Sequence, residues 1–253
     1  MRFFELLINE ASKLRRSKII PLLFVAPILV IVSGIANISQ YFTPEYTNAW
    51  GAMFVQSALV YAYYLLPFSM IVVCAMLSAQ ETQNRGLIKM LTLPVNTTAL
   101  LLAKFCLIVV TLLAEIIIFF LVFLFSGLIA AQAMGVLERI PVFQIFIWCG
   151  GLFLTMLPCS AVMWLITMSF SKPILSVGLN FILTIPAILA ANTSFWLIYP
   201  YCYSGYFVSN LLSFFSTGKT KDTFEWFLYI PIAGLLFLLA LSAASWRFKK
   251  IRV

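Results

Sequence analysis

Apolar residues in this chain gather in long unbroken runs, near residues 19–38, 57–79, 104–131, 142–170, 174–192 and 226–245. A helix needs about 20 such residues to cross the roughly 30 Å hydrocarbon core of a bilayer. The runs lack the strict in/out alternation over about ten residues that marks a membrane β-barrel strand. The pattern therefore predicts an all-α membrane protein with six transmembrane helices and a single transmembrane domain over residues 1–253. Ahead of the first run, within residues 1–18, Phe3, Phe4, Leu7, Ala11 and Leu14 share one helical face, with Glu10, Lys13 and Arg16 on the other. That spacing predicts an amphipathic helix lying in the membrane interface. Glu5 and Glu10, and the lack of a small-residue cleavage site, argue against a removed secretion signal.

Composition agrees with the pattern: 63% of residues are apolar and 9% charged, with a mean hydropathy of +1.07, far from a soluble domain. Lys and Arg residues collect on the cytoplasmic side of membrane proteins. With the N-terminus inside, 13 of the 16 fall in inner segments, and only Arg139, Lys219 and Lys221 fall outside. Both termini are thus predicted to be cytoplasmic. The net charge of +8 suits anionic lipid on that leaflet. Nucleic acid is not needed to explain it, because the bases are spread over short segments. Trp50, Trp148, Trp196 and Trp226 fall at expected outer boundaries, and Trp164 and Trp246 near inner ones.

Catalytic and metal chemistry find little support. Histidine is absent, and four of the five cysteines (Cys74, Cys106, Cys149 and Cys159) lie inside expected crossings without CxxC spacing. Gly218-Lys219-Thr220 resembles the end of a phosphate-binding loop but lacks the first Gly and a preceding strand. Asn96-Thr97-Thr98 reads as a helix N-cap rather than a glycosylation site. No catalytic, cofactor-binding or metal residue is expected. Glu115 is the one acidic residue deep in a crossing, 11 residues beyond Lys104, or roughly 16 Å in. A charge there facing lipid costs about 2.5–3.5 kcal/mol on insertion scales. Glu115 is therefore expected to meet polar groups such as Asn180 or Thr184, or to cross to a second subunit. Pro21, Pro27, Pro67, Pro158, Pro186 and Pro231 fall in or at the ends of five crossings, where each removes a backbone hydrogen bond.

Between the second and third runs lies ETQNRGLIKMLTLPVN, residues 81–96. Gly86 permits a sharp turn, Pro94 acts as a stop, and a short helix candidate lies between them. Leu87, Ile88, Leu91 and Leu93 are too apolar for a solvated connector, while Arg85 and Lys89 hold the segment at the cytoplasmic surface. Apolar side chains on a short helix outside the bilayer suit docking into a partner's groove.

This arrangement resembles the type-2 ABC transporter permeases, whose link between the second and third helices carries a Glu, a Gly, a basic residue, a Leu and a Pro at similar spacing. The matching residues are Glu81, Gly86, Lys89, Leu91 and Pro94, with Arg85 beside them. The resemblance implies that residues 81–96 form a cytoplasmic coupling segment seated on a separate ATP-binding subunit. It also implies two copies of that subunit, with ATP and magnesium bound there, and a second permease subunit, the same or different.

Small size, and NTSFWLIYPYCYSGYF at residues 192–207, are most similar to the small permeases of lantibiotic-immunity and bacitracin-resistance exporters of Gram-positive bacteria. That implies a multi-pass protein of the bacterial plasma membrane that expels an antimicrobial peptide from the membrane to the outside. Permeases for another drug, lipid or polysaccharide share much of this design. A non-transporting channel or sensor would differ in needing no nucleotide. The outer segment, residues 193–225, is rich in Tyr and Phe. Tyr199, Tyr201, Tyr203, Tyr206, Phe207, Phe214 and Phe215 are expected to form an aromatic lip, although boundary aromatics line every membrane protein. Glu115, Trp196, Tyr199 and Tyr201 are the candidates for a substrate path or subunit interface.

Overall fold

A computed structural model describes residues 6–8, 10–12, 19–36, 49–83, 97–134, 139–170, 172–217 and 224–250. Every regular element among them is helical. In chain order these are α1 (Ile19–Ala36), α2 (Ala49–Val60), a π-helical turn (Tyr61–Leu65), α3 (Leu66–Gln83), α4 (Thr97–Met134), α5 (Val142–Ser169), α6 (Pro173–Thr184) and α7 (Ala187–Ala191). Two 3-10 turns, Ser194–Leu197 and Pro200–Cys202, lead into α8 (Tyr203–Thr217), and α9 spans Trp226–Lys250.

Among the described residues, four stretches are long and apolar enough to cross a membrane: Trp50–Ala79, Thr98–Ile129, Val142–Ser169 and Trp226–Phe248. Two shorter apolar helices cover Ile19–Val32 and Pro173–Thr184. The run expected to cross over 174–192 is broken: α6 stops at Thr184, a turn occupies Ile185 and Pro186, and α7 follows. Pro186 cannot donate a helical hydrogen bond, and its ring crowds the preceding turn. The helix that includes the second run begins at Ala49 rather than near residue 57. Trp50, expected at a membrane boundary, is buried against α4, where a Cβ on Gly127 would lie 2.5 Å from its ring.

Helix α4 packs against α1 and α5, α3 against α5 and α6, and α9 against α5 and α4. The aromatic core joins Phe54 to Phe123 and Trp148, at 5.5 and 4.9 Å between ring centroids, and stacks Tyr61 on Phe119 at 4.5 Å. The outward faces are apolar as well: Leu29 of α1, Phe125 of α4, Phe146 of α5 and Leu238 of α9 are all exposed. A bundle that is apolar inside and out suits lipid as its solvent, where helices associate by close packing and polar contacts rather than by the hydrophobic effect.

The N-terminal helix turns a different face inward from the one its pattern suggested. Leu6, which was not among the residues of the expected apolar face, is buried, Leu7 and Ala11 are half-buried, Ile8 is exposed and Glu10 is 3% exposed. The carboxylate is drawn in because it meets Lys104 of α4, Nζ to Oε2 2.9 Å, and that side chain is itself 1% exposed. Lys104, expected to mark the inner edge of the third crossing, thus ties residues 6–12 to the bundle.

Candidate functional site

Glu115 lies near the middle of the span Thr98–Ile129 and is fully buried. Ser69 of α3 donates toward its carboxylate with Oγ 2.7 Å from both oxygens, and the Tyr61 hydroxyl lies 3.4 Å from Oε1. The Leu66 carbonyl is also within reach of Ser69 Oγ, at 2.9 Å, so one hydroxyl proton serves three acceptors. Among the described residues, the groups meeting the Glu115 carboxylate are these hydroxyls and not a cation. The partners expected from sequence are engaged elsewhere: Asn180 accepts from Tyr201 at 2.6 Å and donates to the Ser176 carbonyl, and Thr184 donates to the Asn180 carbonyl.

Tyr61 and Ser69 are eight residues apart. On a regular α-helix at 3.6 residues per turn they would diverge by about 80°. The intervening π turn absorbs one extra residue and reduces this to about 20°, so both hydroxyls reach one carboxylate. The turn forms ahead of Pro67. In this register the Leu66 N–H bonds the Tyr61 carbonyl, five residues back. The Ala62 carbonyl then faces the position of Pro67, which has no N–H to offer. Ser204 of α8 fills the vacancy, with Oγ 2.8 Å from Ala62 O.

The same arrangement recurs at Pro158, and a related one lies beside Pro186. Pro158 leaves the Leu154 carbonyl of α5 without its helical donor, and the Tyr229 hydroxyl of α9 lies 3.3 Å from it. At the break formed by Ile185 and Pro186, the Leu183 carbonyl near the end of α6, one residue beyond the carbonyl that Pro186 itself deprives of a donor, accepts from the Tyr199 hydroxyl. An unsatisfied carbonyl in hydrocarbon costs several kcal/mol. Three opened helices are therefore closed by hydroxyls that all come from residues 199–229.

Several aromatic residues of this region pack inward. Tyr201, Tyr203 and Phe207 are buried, and Trp196 stacks on Tyr206 at 4.2 Å and lies 5.8 Å from Phe224. Of the residues expected to form an aromatic lip, Tyr199, Tyr201, Tyr203, Tyr206 and Phe207 each lie against another ring, while the side chains of Phe214 and Phe215 are outside the described residues. Close approach requires glycine at two points: a Cβ on Gly205 would lie 2.2 Å from the Tyr63 ring, and one on Gly151 2.2 Å from that of Phe207. Tyr63 and Ser209 share a further hydrogen bond of 2.8 Å. Burial pushes the Cys202 thiol up to about 12 and raises the Tyr201 phenol, so both stay neutral donors.

Of the coupling residues expected from sequence, Glu81 falls in the last turn of α3, and its side chain is outside the described residues, as are Arg85, Gly86, Lys89, Leu91 and Pro94. The structure brings together Glu115, Tyr61 and Ser69, and separately Trp196, Tyr199 and Tyr201 with α6 and α8. Sequence reasoning missed Ser69, Ser204 and Tyr229. The available signal was proline position, which at Pro158 names the freed Leu154 carbonyl but not its donor.

Residues 6–187 match the family model described as ABC-2 family transporter protein. The chain belongs to that family. The matched stretch includes the N-terminal helix, the link between α3 and α4, and every element through α6. No curated protein and no solved structure gives a match. The ABC-2 protein described here is thus a multi-pass membrane subunit of an ABC transporter. It is the transmembrane component and not the ATPase, and it works with an ATP-binding subunit.

Proposed function

We propose that this ABC-2 subunit is the permease of an ATP-driven exporter that moves an antimicrobial peptide of the lantibiotic kind from the membrane to the outside, conferring immunity or resistance. In this reading the chain makes six crossings with both termini cytoplasmic, in the plasma membrane of a Gram-positive bacterium. Two copies of the ATP-binding subunit bind ATP and magnesium, and a second permease, identical or different, completes the path.

The observation that carries the mechanism is the position of the π turn. Helix α3 has 18 residues, a rod of about 27 Å, with the coupling segment at one end and the π turn at the other. Glu81, Arg85, Gly86, Lys89, Leu91 and Pro94 form the seat on the ATP-binding subunit. Closure of that subunit pushes on α3. The push is felt where Leu66 N–H has two nearby acceptors, Tyr61 O in the π register and Ala62 O in the α register. Moving to the α register would displace Ser204 from Ala62 O and rotate Tyr61 away from the face shared with Ser69 and Glu115. The π turn is thus a two-state element that the link biases from inside and α8 from outside. Glu115 lies on the path or at its wall, and Trp196, Tyr199 and Tyr201 brace the outer end against which cargo is released.

Leu91→Asp places a charge in the apolar seat. It is expected to abolish peptide-protected growth while leaving membrane abundance unchanged. Full protection in that variant and in Glu81→Ala, at normal abundance, would defeat the coupling reading. Action without nucleotide would favour a channel or sensor.

A further inference from the structure

We propose that the groove between α5, α6 and α9 is a seat for one anionic phospholipid. The groove has a volume of about 400 Å³ and is walled by Leu165, Phe170, Leu179 and Ala243, with Arg247 at its edge. Among the described residues lining it, Arg247 alone is charged, and it is exposed. Ser169, also in the wall, donates its proton to the Leu165 carbonyl at 2.8 Å, which leaves the guanidinium as the charged donor facing a headgroup, beside the Trp246 indole that also lines the groove. Lys249, Lys250 and Arg252 come shortly after it in the sequence. On the topology read from the Lys and Arg asymmetry, this end of the bundle meets the cytoplasmic leaflet, where anionic lipids collect.

Charge complementarity selects the occupant. Apolar walls accept an acyl chain, and a guanidinium at the mouth pairs with a phosphate through parallel N–H donors. A second groove of similar size, about 390 Å³, lies between α5 and α9 against Leu154, Pro158, Trp226 and Gly234. It has no charged residue in its lining, so nothing there distinguishes one headgroup from another. The contrast assigns headgroup selectivity to the groove at Arg247. Lipid binding there needs only the membrane-spanning bundle, not the exporter's cargo.

The test is native mass spectrometry of the full chain, released with its co-purifying subunits from nanodiscs of phosphatidylcholine doped with phosphatidylglycerol. The wild type is expected to retain phosphatidylglycerol over phosphatidylcholine. Arg247→Ala should lower that preference about tenfold, the equivalent of one charge-assisted contact. Arg247→Lys should keep part of it, and Ala243→Trp should expel the lipid by filling the groove. Unchanged retention in Arg247→Ala and Ala243→Trp would overturn the proposal. So would efficient crosslinking of Ala243→Cys to a second copy of the chain in the native membrane, which would make the groove a protein contact.

Discussion

Two buried carboxylates in this bundle are handled in opposite ways. Glu10, at the end of α4 where Lys104 enters, is met by an ammonium at 2.9 Å. Glu115, near mid-span, is met by the hydroxyls of Ser69 and Tyr61. A salt bridge between two side chains of 1% and 3% exposure is a fixed tie, because breaking it strands a charge. A carboxyl held by hydroxyls depends instead on backbone register, since only the π turn brings Tyr61 and Ser69 to the same face. The first arrangement ties the N-terminal residues to the bundle, and the second makes the polar contacts of Glu115 depend on the register of the helix that carries Tyr61 and Ser69.

The largest effect expected from breaking this contrast is at the fixed tie. Lys104→Ala should destabilise the chain by about 3–5 kcal/mol by leaving Glu10 buried without its ammonium. Glu10→Gln combined with Lys104→Met should recover most of the loss, and thermal unfolding in mild detergent would measure both. At the hydroxyl-held carboxylate, Ser69→Ala should cost about 2 kcal/mol and impair transport more than the paired Glu10→Gln, Lys104→Met change, read as efflux at equal abundance. Ser204→Ala should cost about 1–2 kcal/mol by orphaning the Ala62 carbonyl. Its local signature would be faster amide hydrogen exchange at Leu66. The smallest effect is expected from Tyr61→Phe, about 0.5 kcal/mol, because its hydroxyl lies 3.4 Å from the carboxylate and the stack on Phe119 survives. A loss in Tyr61→Phe equal to that in Ser69→Ala would show the two hydroxyls to be equivalent and enlarge the role assigned to the π turn, which brings Tyr61 to the carboxylate.

The bundle was legible in the sequence because lipid imposes long apolar runs, and all four full-length spans of the structure overlap predicted ones. The depth of Glu115 was legible too, since rise per residue from Lys104 suffices. Its partners were not: Ser69 and Tyr61 diverge on a regular helix, and a π turn leaves no periodic mark beyond the nearby Pro67. Asn180 was a reasonable candidate by polarity, but the hydroxyl of Tyr201 claims its acceptor oxygen. The packing of the aromatic segment after residue 192 was not legible for a related reason. Tyr and Trp favour membrane boundaries, and composition alone does not reveal that α8 folds back onto α2 and α5. Glu10 was placed on the outer face of its helix because helical periodicity does not register a tertiary counter-ion 94 residues away.

In the proposed mechanism, motion of an ATP-binding partner enters through residues 81–96 and travels along α3 to the π turn. The most direct measurement is ATP-dependent peptide efflux from membrane vesicles carrying the chain with its ATP-binding partner, comparing wild type with Leu91→Asp at matched abundance. Coupling along this route predicts that efflux is lost in Leu91→Asp while both proteins remain in the membrane. Undiminished ATP-dependent efflux by that variant would contradict it.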